Sequence, residues 1–318
     1  MLHRSVGALG TLGLVAIGCA KADNRGAEGG QPAGAESSAT PTAATKVGET
    51  DDMKAPESVR YDPELDLFYV SNVNGNPAEH DGNGFIAVVR ADSTGAATKV
   101  LVQGGKGGAR LDAPKGLALV GDTLWVADIN HVRAFNRRTG APIADIDLSA
   151  QRATFLNDVA VDGGGAIYVT DTGIAFGAHG AVSHPGVDQI FKITGRTAVA
   201  IRADSLDAPN GIAWDSTSDR FVLGPFMGRA VRTWKEGDTA ATTLVDGPGQ
   251  YDGVEVMADG RILVTSWADS AVHVIQNGEL STLVPNVSAP ADIGVDTKRN
   301  IVAIPRFNDN KVDYYKIP

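Results

Sequence analysis

The chain has 318 residues, of which 43% are hydrophobic and 21% are charged, and its formal net charge at pH 7 is −10. An acidic chain without a basic stripe is a poor partner for nucleic acid, because Lys and Arg must neutralise the phosphates. The single cysteine, Cys19, excludes an intramolecular disulfide.

The first 19 residues have the pattern of a secretory signal. A charged start precedes an apolar run over residues 6–17, which is shorter than the roughly 20 residues of a membrane span. The following Gly18 and Cys19 resemble a bacterial lipobox, in which the cysteine is lipidated. Residues 1–19 are therefore predicted to be a lipoprotein-type signal peptide with lipobox Cys19. Lipidated Cys19 is predicted to anchor the chain to the bacterial cell envelope, at the outer membrane facing the periplasm. An ordinary cleaved signal and a soluble periplasmic or secreted product are the alternative.

Residues 20–45 are nearly all Ala, Gly, Ser, Thr, Pro and charged residues. Such a composition cannot bury enough apolar surface to offset its conformational entropy, so this segment is predicted to be a disordered tether. From residue 46 to residue 318 the pattern changes to short alternating runs separated by Gly, Asp and Asn turns, without helical periodicity. The folded part is therefore predicted to be all-β.

One short motif occurs six times in this part of the chain. Each copy has a turn-forming start, one variable position and then alternating apolar residues, and the copies begin at residues 55, 113, 155, 208, 250 and 289. A repeat of about 40 residues with four strands per unit predicts a six-bladed β-propeller. Segment 45–50 resembles the fourth strand of other units, so the N-terminal strand is predicted to close the last blade.

The variable positions are predicted to form a ring around the central channel, because the innermost strand of each blade begins there. We call them the ring positions: Glu57, Lys115, Asn157, Asn210, Asp252 and Ala291. The intervals that follow Glu57 and Asn157 are longer than the others, and they place insertions at 72–84 and 171–188. Both insertions fall in loops on the face where the ring lies, which predicts a lidded pocket.

Four ring positions carry oxygen ligands, two as carboxylates and two as amides. This donor set suits Ca²⁺, with another divalent cation as an alternative. The absence of Cys and His from the ring argues against Zn or Cu. The competing interpretation is that Asn and Asp stand there only because they start strands after turns.

Glu57, Asn157-Asp158, Asn210-Gly211 and Asp252-Gly253, in this order, resemble the senescence marker protein (regucalcin)/gluconolactonase/luciferin-regenerating-enzyme family of six-bladed calcium propellers. The resemblance extends from about residue 46 to the end. It implies that Glu57, Asn210 and Asp252 hold the metal, with Asn157 as a further ligand or substrate contact. It also implies that Asp252, assisted by Asn157, is catalytic in the hydrolysis of a lactone or ester.

Two residues depart from the family pattern. Phe155 stands where sugar-lactone members carry an arginine, which favours a less polar substrate. Lys115 places a cation in the ring, either as a contact for a substrate anion or as a solvated turn residue. Further side chains expected to line the pocket lie in the inserted loops or after second strands: Asn72, His80, Asp128, His179, His184, Trp267 and Arg306.

The sequence is also compatible with two other functions. A non-catalytic propeller of the NHL type would bind a ligand or protein and use any metal only structurally. Phosphotriester hydrolysis would use the same metal site. The ring of two carboxylates and two amides favours an enzyme, because a binding propeller has no need for it.

Overall fold

The computed structural model describes residues 43–95, 99–176 and 182–318. The predicted signal peptide and almost all of the predicted tether lie outside the described residues. Within them, the strands form six four-stranded sheets and one two-stranded hairpin. The described part of the chain contains no helix with the length and apolar character needed to cross a membrane.

The strands are, in chain order, β1 (Thr45–Thr50), β2 (Pro56–Asp62), β3 (Leu67–Asn72), β4 (Phe85–Arg90), β5 (Lys99–Gln103), β6 (Pro114–Val120), β7 (Thr123–Asp128), β8 (His131–Asn136), β9 (Pro142–Asp147), β10 (Leu156–Val161), β11 (Ile167–Asp171), β12 (Ala175–Phe176), β13 (Val182–Ser183), β14 (Gln189–Thr194), β15 (Thr197–Ile201), β16 (Pro209–Asp215), β17 (Arg220–Pro225), β18 (Ala230–Trp234), β19 (Thr242–Asp246), β20 (Tyr251–Val256), β21 (Ile262–Ser266), β22 (Ala271–Gln276), β23 (Glu279–Val284), β24 (Gly294–Asp296), β25 (Ile301–Arg306) and β26 (Lys311–Lys316). Short 3₁₀ helices occupy Ser149–Gln151 and Phe307–Asp309.

Each four-stranded sheet is one blade, and the chain builds the blades in order. Blades one and two contain β2–β5 and β6–β9, and blade three contains β10, β11, β14 and β15. Blades four and five contain β16–β19 and β20–β23, and blade six contains β24–β26 with β1. The inner strands are therefore β2, β6, β10, β16, β20 and β24. This arrangement confirms the predicted six-bladed propeller.

The N-terminal strand closes blade six, as predicted. β1 runs antiparallel to β26, with Thr50 opposite Val312. The buried hydroxyls of Thr50 and Tyr314 lie 3.2 Å apart and share a hydrogen bond. On the inner side, the backbone N–H of Asp292 donates to the carbonyl of Glu57 at 2.8 Å, which joins blade six to blade one. Closure of this kind leaves no blade without a neighbour and protects the sheet edges.

A separate hydrophobic core lies between each pair of neighbouring blades. Strand β7 shows how the sequence produces this: Leu124 and Val126 pack toward blade one, whereas Trp125 and Ala127 pack toward blade three. Alternate side chains of a strand point to opposite faces of its sheet. Because each blade is covered on both faces, a middle strand can be apolar at successive positions, as β7 is over residues 124–127.

The inner strands of the first five blades are interrupted by a β-bulge at the ring position. In blade four, Pro209 pairs with Pro225 and Gly211 pairs with Gly224, so Asn210 is the extra residue. Equivalent interruptions of the pairing include Glu57, Lys115, Asn157 and Asp252. A bulge bends its strand and redirects the side chain of the extra residue. The bulges therefore turn the ring side chains out of the sheet, toward the channel.

Hydroxyl groups on the second strands support these bulges. Thr170 Oγ1 accepts a hydrogen bond from the backbone N–H of Asp158 at 2.9 Å and donates to the carbonyl of Asn210 in the next blade at 2.6 Å. Equivalent contacts join Thr265 to Gly253 and Ala291, and Ser71 to Ser58. One buried side chain thus fixes ring residues of two blades.

The Thr170→Val variant should be clearly less stable than the wild type. It keeps the shape of the side chain but leaves the Asp158 N–H and the Asn210 carbonyl without their partner, at a cost of about 1–3 kcal/mol. The midpoint of thermal unfolding, followed by circular dichroism, should fall by several degrees. Thr197 on β15 is exposed, so Thr197→Val should change stability by less than about 0.5 kcal/mol. Equal midpoints for the two variants would contradict the proposed support.

Candidate active site at the mouth of the channel

A cavity of about 660 Å³ lies over the ring positions. Five ring residues line it, each from a different blade: Glu57, Lys115, Asn157, Asn210 and Asp252. The sixth, Ala291, is fully buried and does not belong to the lining. The remaining walls are mainly apolar, and they include Phe155, Ile174, Phe176, Val182, Phe226, Met227, Trp267 and Phe307. A concave apolar space of this size with a few convergent polar groups is typical of a small-molecule site.

Both inserted loops contribute to the walls of the cavity. Pro77 comes from the loop over residues 72–84, whereas Phe176 and Val182 come from the longer insertion. Phe176 and Val182 pair with each other in the hairpin formed by β12 and β13. Phe176 also packs on Phe155, with ring centroids 5.4 Å apart. The positions of these loops were predicted from the sequence, but the apolar side chains that they contribute to the cavity were not.

Four side-chain oxygens in the cavity are buried and lack a hydrogen-bond partner among the described residues. They are Glu57 Oε2, Asn157 Oδ1, Asn210 Oδ1 and Asp252 Oδ1. Buried polar atoms are nearly always hydrogen-bonded in folded proteins. None of the other partnerless buried atoms in the described residues belongs to a residue that lines this cavity. Four such acceptors from four blades fit a hard cation that prefers oxygen ligands.

Half of this donor set consists of neutral amides. Among the described residues, no group of three or more His, Cys, Asp and Glu side chains is arranged to hold a metal. A cation at the ring would therefore depend on the amide oxygens of Asn157 and Asn210 as well as on the two carboxylates. This composition suits Ca²⁺ better than Zn²⁺, which prefers Cys and His.

Trp267 fixes the orientation of Asp252. Its indole Nε1 donates a hydrogen bond to Asp252 Oδ2 at 2.9 Å. The indole is itself held between two rings, with centroids 6.1 Å from Phe226 and 6.0 Å from Phe307. One carboxylate oxygen of Asp252 is thus occupied, and Oδ1 is the one left without a partner.

Both ring carboxyl groups have strongly raised pKa values. Burial raises the pKa of Asp252 to about 8, the charge of Asp292 adds to this, and the Trp267 N–H opposes it. Burial also raises the pKa of Glu57 well above its usual range, and the charge of Asp252 adds to the effect. Desolvation penalises the charged form of each group. A positive charge bound between them would stabilise both carboxylates.

Lys115 is turned toward the backbone rather than toward the carboxylates of the ring. Its Nζ donates hydrogen bonds to the carbonyls of Pro77 at 3.0 Å and Ala113 at 3.1 Å. It also lies 4.2 Å from the centroid of the Phe155 ring. Burial lowers the pKa of Lys115 to about 8, although the charge of Glu57 opposes this shift. The amine therefore does not take the place of a cation at the ring.

A second layer of charged groups lies one and three residues further along the inner strands. Asp158 and Asp292 are buried there, and Ser58 Oγ donates to Asp292 Oδ2 at 2.5 Å. Arg60 forms an ion pair with Glu255 and approaches Asp292 Oδ2 to 3.7 Å. This layer was not predicted from the sequence. In the six motif copies its two columns carry a polar residue only in some copies and Gly or Ala in the others, so the signal is weak.

Two residues that were predicted to line the pocket instead accept hydrogen bonds from the backbone of neighbouring loops. Asp128 accepts hydrogen bonds from the backbone N–H groups of Asp112 and Ala113, and Asn72 accepts one from Lys54. Neither residue lines the cavity. Each ends the second strand of its blade beside the loop that leads into the inner strand, so its side chain meets unpaired backbone donors before it can reach the channel.

The predicted pocket histidines and Arg306 are also outside the lining. His80 is half exposed and lies 3.3 Å from Asp112, and His184 contacts Asp188 at 2.7 Å. Arg306 pairs with Asp309 and Asp313. In each case a nearby carboxylate engages the side chain. His179 lies outside the described residues.

Lys115, Phe155 and Trp267 do line the cavity. The catalytic and metal-binding roles of the ring stay predictions.

The sequence matches the family described as SMP-30/gluconolactonase/LRE-like region over residues 55–299, and the chain therefore belongs to this family. Members of the family are typically metal-dependent. The sequence has no significant match among functionally curated proteins. The predicted family relationship is confirmed.

Three solved structures show the same propeller architecture. A structural-genomics target provisionally described as a gluconolactonase has 15% identity and a TM-score of 0.65, covering 87% of this chain and 93% of that one. A streptogramin B lyase has 11% identity and a TM-score of 0.57, covering 86% and 97%. A catalytically inactive variant of virginiamycin B lyase from Staphylococcus aureus with quinupristin has 12% identity and a TM-score of 0.56, covering 86% and 99%. At such identities the likeness shows the fold alone.

In the presence of a chelator, the stability of the protein should decrease as the pH rises from about 4 to about 8. In this window Asp252 ionises in the unfolded chain, whose carboxyl pKa is about 4, but stays protonated in the folded protein, where its pKa is about 8. The unfolded state is therefore favoured as the pH rises. Asp252→Asn should flatten this part of the profile of thermal midpoint against pH. Glu279→Gln, at an exposed position, should not, and a profile equally steep in Asp252→Asn would refute the assignment.

Proposed function

We propose that the protein is an exported calcium-dependent hydrolase that opens a lactone or a related ester in the cavity over the ring. The observation that carries the proposal is the set of four buried oxygens without partners, which come from four blades and line one cavity. Membership of the gluconolactonase-like family supports the reaction class. The proposal includes a lipid anchor at Cys19 in the bacterial cell envelope, as expected from the sequence.

Glu57, Asn157, Asn210 and Asp252 would hold the cation through the four free oxygens. Two carboxylates balance the charge of a divalent ion, and two amides add ligands without adding charge. When bound, such a cation supplies Lewis acidity, which polarises a carbonyl and stabilises the negative charge that develops on its oxygen. The bulges provide the rigid backbone from which these side chains reach the cavity.

Asp252 is the group best placed to act on the substrate. Trp267 holds one of its oxygens, and this contact fixes the direction of the other. A carboxylate in this position either accepts a proton from an attacking water or attacks the acyl carbon itself. The amide of Asn157 lies in the same cavity and can orient the reacting carbonyl.

The walls of the cavity favour a substrate with an apolar body. Phe155, Phe176 and Phe226 present aromatic surface, and Phe155 occupies the position where sugar-lactone members carry an arginine. Apolar walls exclude water and strengthen electrostatic interactions with the reacting group. Aliphatic or aromatic lactones and esters fit this lining better than a sugar lactone does.

The rival function is a non-catalytic propeller that binds an apolar ligand and uses its metal structurally. Such a protein would not need a carboxylate oriented by Trp267 inside the ligand cavity. Phosphotriesters remain a substrate class for the same site, because a cation polarises P=O as it polarises C=O. Turnover separates an enzyme from a binding propeller, and the compounds that are turned over separate the substrate classes.

The protein should hydrolyse at least one member of a panel of lactones, aryl esters and phosphotriesters, and EDTA should abolish the turnover. Added Ca²⁺ should restore it. Asp252→Asn should reduce kcat/KM by about 10²–10⁴-fold, the usual contribution of a general base. Initial rates followed by pH indicator or chromogenic release measure both effects.

The matched control is Glu279→Gln, which removes a surface carboxylate and should leave the rate unchanged. Circular dichroism must show that Asp252→Asn is folded. Turnover that survives chelation would refute the metal mechanism. A folded protein that binds Ca²⁺ and apolar ligands but turns over none of the panel would favour the binding propeller.

Ca²⁺ should raise the thermal midpoint of the protein by several degrees. A ligand at 100 times its dissociation constant stabilises the folded state by about 2.7 kcal/mol, and about 1 kcal/mol shifts the midpoint by about 2–4 °C at this chain length. Asn210→Leu removes one ligand at similar volume and should reduce the Ca²⁺-dependent shift. An unchanged shift in this variant, measured by calorimetry beside wild type, would exclude Asn210 as a ligand.

A further inference from the structure

Lys115 is the one cationic side chain among the residues that line the cavity in the described part of the chain. It is only 1% exposed and stands on the inner strand of blade two. In a six-bladed ring, blade two lies opposite blade five, which carries Asp252. A molecule lying over the ring would therefore have Asp252 on one side and the ammonium group on the other.

The hydrogen bonds of Lys115 leave part of its capacity unused. An ammonium group has three N–H donors, and two of them are taken by the carbonyls of Pro77 and Ala113. Among the described residues, no carboxylate oxygen forms an ion pair with Nζ within 4.0 Å. The charges of Glu57 and, less strongly, of Asp128 act on Lys115. Neither residue forms an ion pair with it, and the oxygens of Asp128 are already engaged by backbone N–H groups and Arg133.

A purely structural role does not account for a charge at this position. Two carbonyls can be bridged by a neutral donor, whereas a buried ammonium group without an anionic partner is costly. The face of the Phe155 ring, 4.2 Å away, compensates part of this cost. An anionic ligand that enters the cavity would compensate the rest of the cost of burying this charge.

The rest of the lining limits where such an anion could bind. Phe155, Phe176, Phe226 and Trp267 supply aromatic surface, and the oxygens of the ring repel negative charge. A ligand with one anionic end and an apolar body would satisfy both features. Its anionic end would lie at Lys115 and its body against the aromatic walls.

We propose that Lys115 recognises the carboxylate of an amphipathic ligand, and that the substrates of the site are lactones or esters whose acid product has an apolar body. The inference rests on the proposed hydrolase for the link between ligand and product. In that reaction the acyl C–O bond breaks, water adds OH to the acyl carbon and H to the leaving oxygen, and the new acid loses a proton. The product is thus an amphipathic carboxylate of the kind that Lys115 would bind.

The test compares octanoate with octanamide, a neutral molecule of nearly the same shape, by isothermal titration of the full-length protein in Ca²⁺ and in EDTA. Wild type should bind octanoate more tightly than octanamide by roughly tenfold or more, since a hydrogen bond to a charged group contributes about 1.5–3 kcal/mol. In Lys115→Met the two ligands should bind equally. Lys106→Met, which alters an exposed lysine, should keep the preference.

Three results would overturn the inference. The first is equal binding of the two ligands to wild type, and the second is no binding of either ligand. The third is a preference for octanoate that persists in Lys115→Met but disappears in EDTA, because the carboxylate would then be bound by the cation. The wild-type comparison decides the matter even where Lys115→Met does not fold. Because binding needs no turnover, an inactive protein with the octanoate preference would refute only the hydrolase, and an active protein without the preference would refute only the role of Lys115.

Discussion

The bulge at the ring position of the inner strands is the constraint on which the site depends. A regular strand would alternate its side chains between two interblade cores, and a polar residue there would be buried in a hydrophobic layer. The extra residue breaks this alternation and releases one side chain toward the channel. The hydroxyls of Thr170 and Thr265 then satisfy freed backbone groups and tie the bulges of blades three and five to the next blade. The fold thus obtains polar groups at its centre without placing them in its cores.

The electrostatics of the channel follow from this arrangement. Glu57 and Asp252 are both buried and close enough for the charge of Asp252 to raise the pKa of Glu57, and the layer below adds Asp158 and Asp292. Arg60 partly balances the negative charge of the lower layer. Among the described residues that line the cavity, the upper layer has one cationic side chain, Lys115, and it is engaged by backbone carbonyls. Like charges without solvent raise one another's pKa values. A cation bound at the ring would therefore stabilise the upper layer more than the lower one.

Most of the fold could be predicted from the sequence, because the motif repeats at a regular spacing and each copy has period-two hydrophobicity. The ring was identified for the same reason: each copy of the motif places one variable position between a turn-forming start and alternating apolar residues. Side chains at strand ends were harder to place. Asn72 and Asp128 follow second strands, as Trp267 does, but short polar side chains are captured by nearby backbone N–H groups, whereas the long indole reaches the cavity. The register that decides between these outcomes depends on bulges, which leave no local signal in the sequence.

The circular arrangement of the ring determines what truncation of the chain would do to the site. Its side chains come from strands that lie far apart along the chain, from Glu57 on β2 to Asp252 on β20, and their positions depend on the strand at Thr45–Thr50 that completes the circle. An isolated blade, or a chain cut short of its last blade, would therefore contain no weaker version of the site.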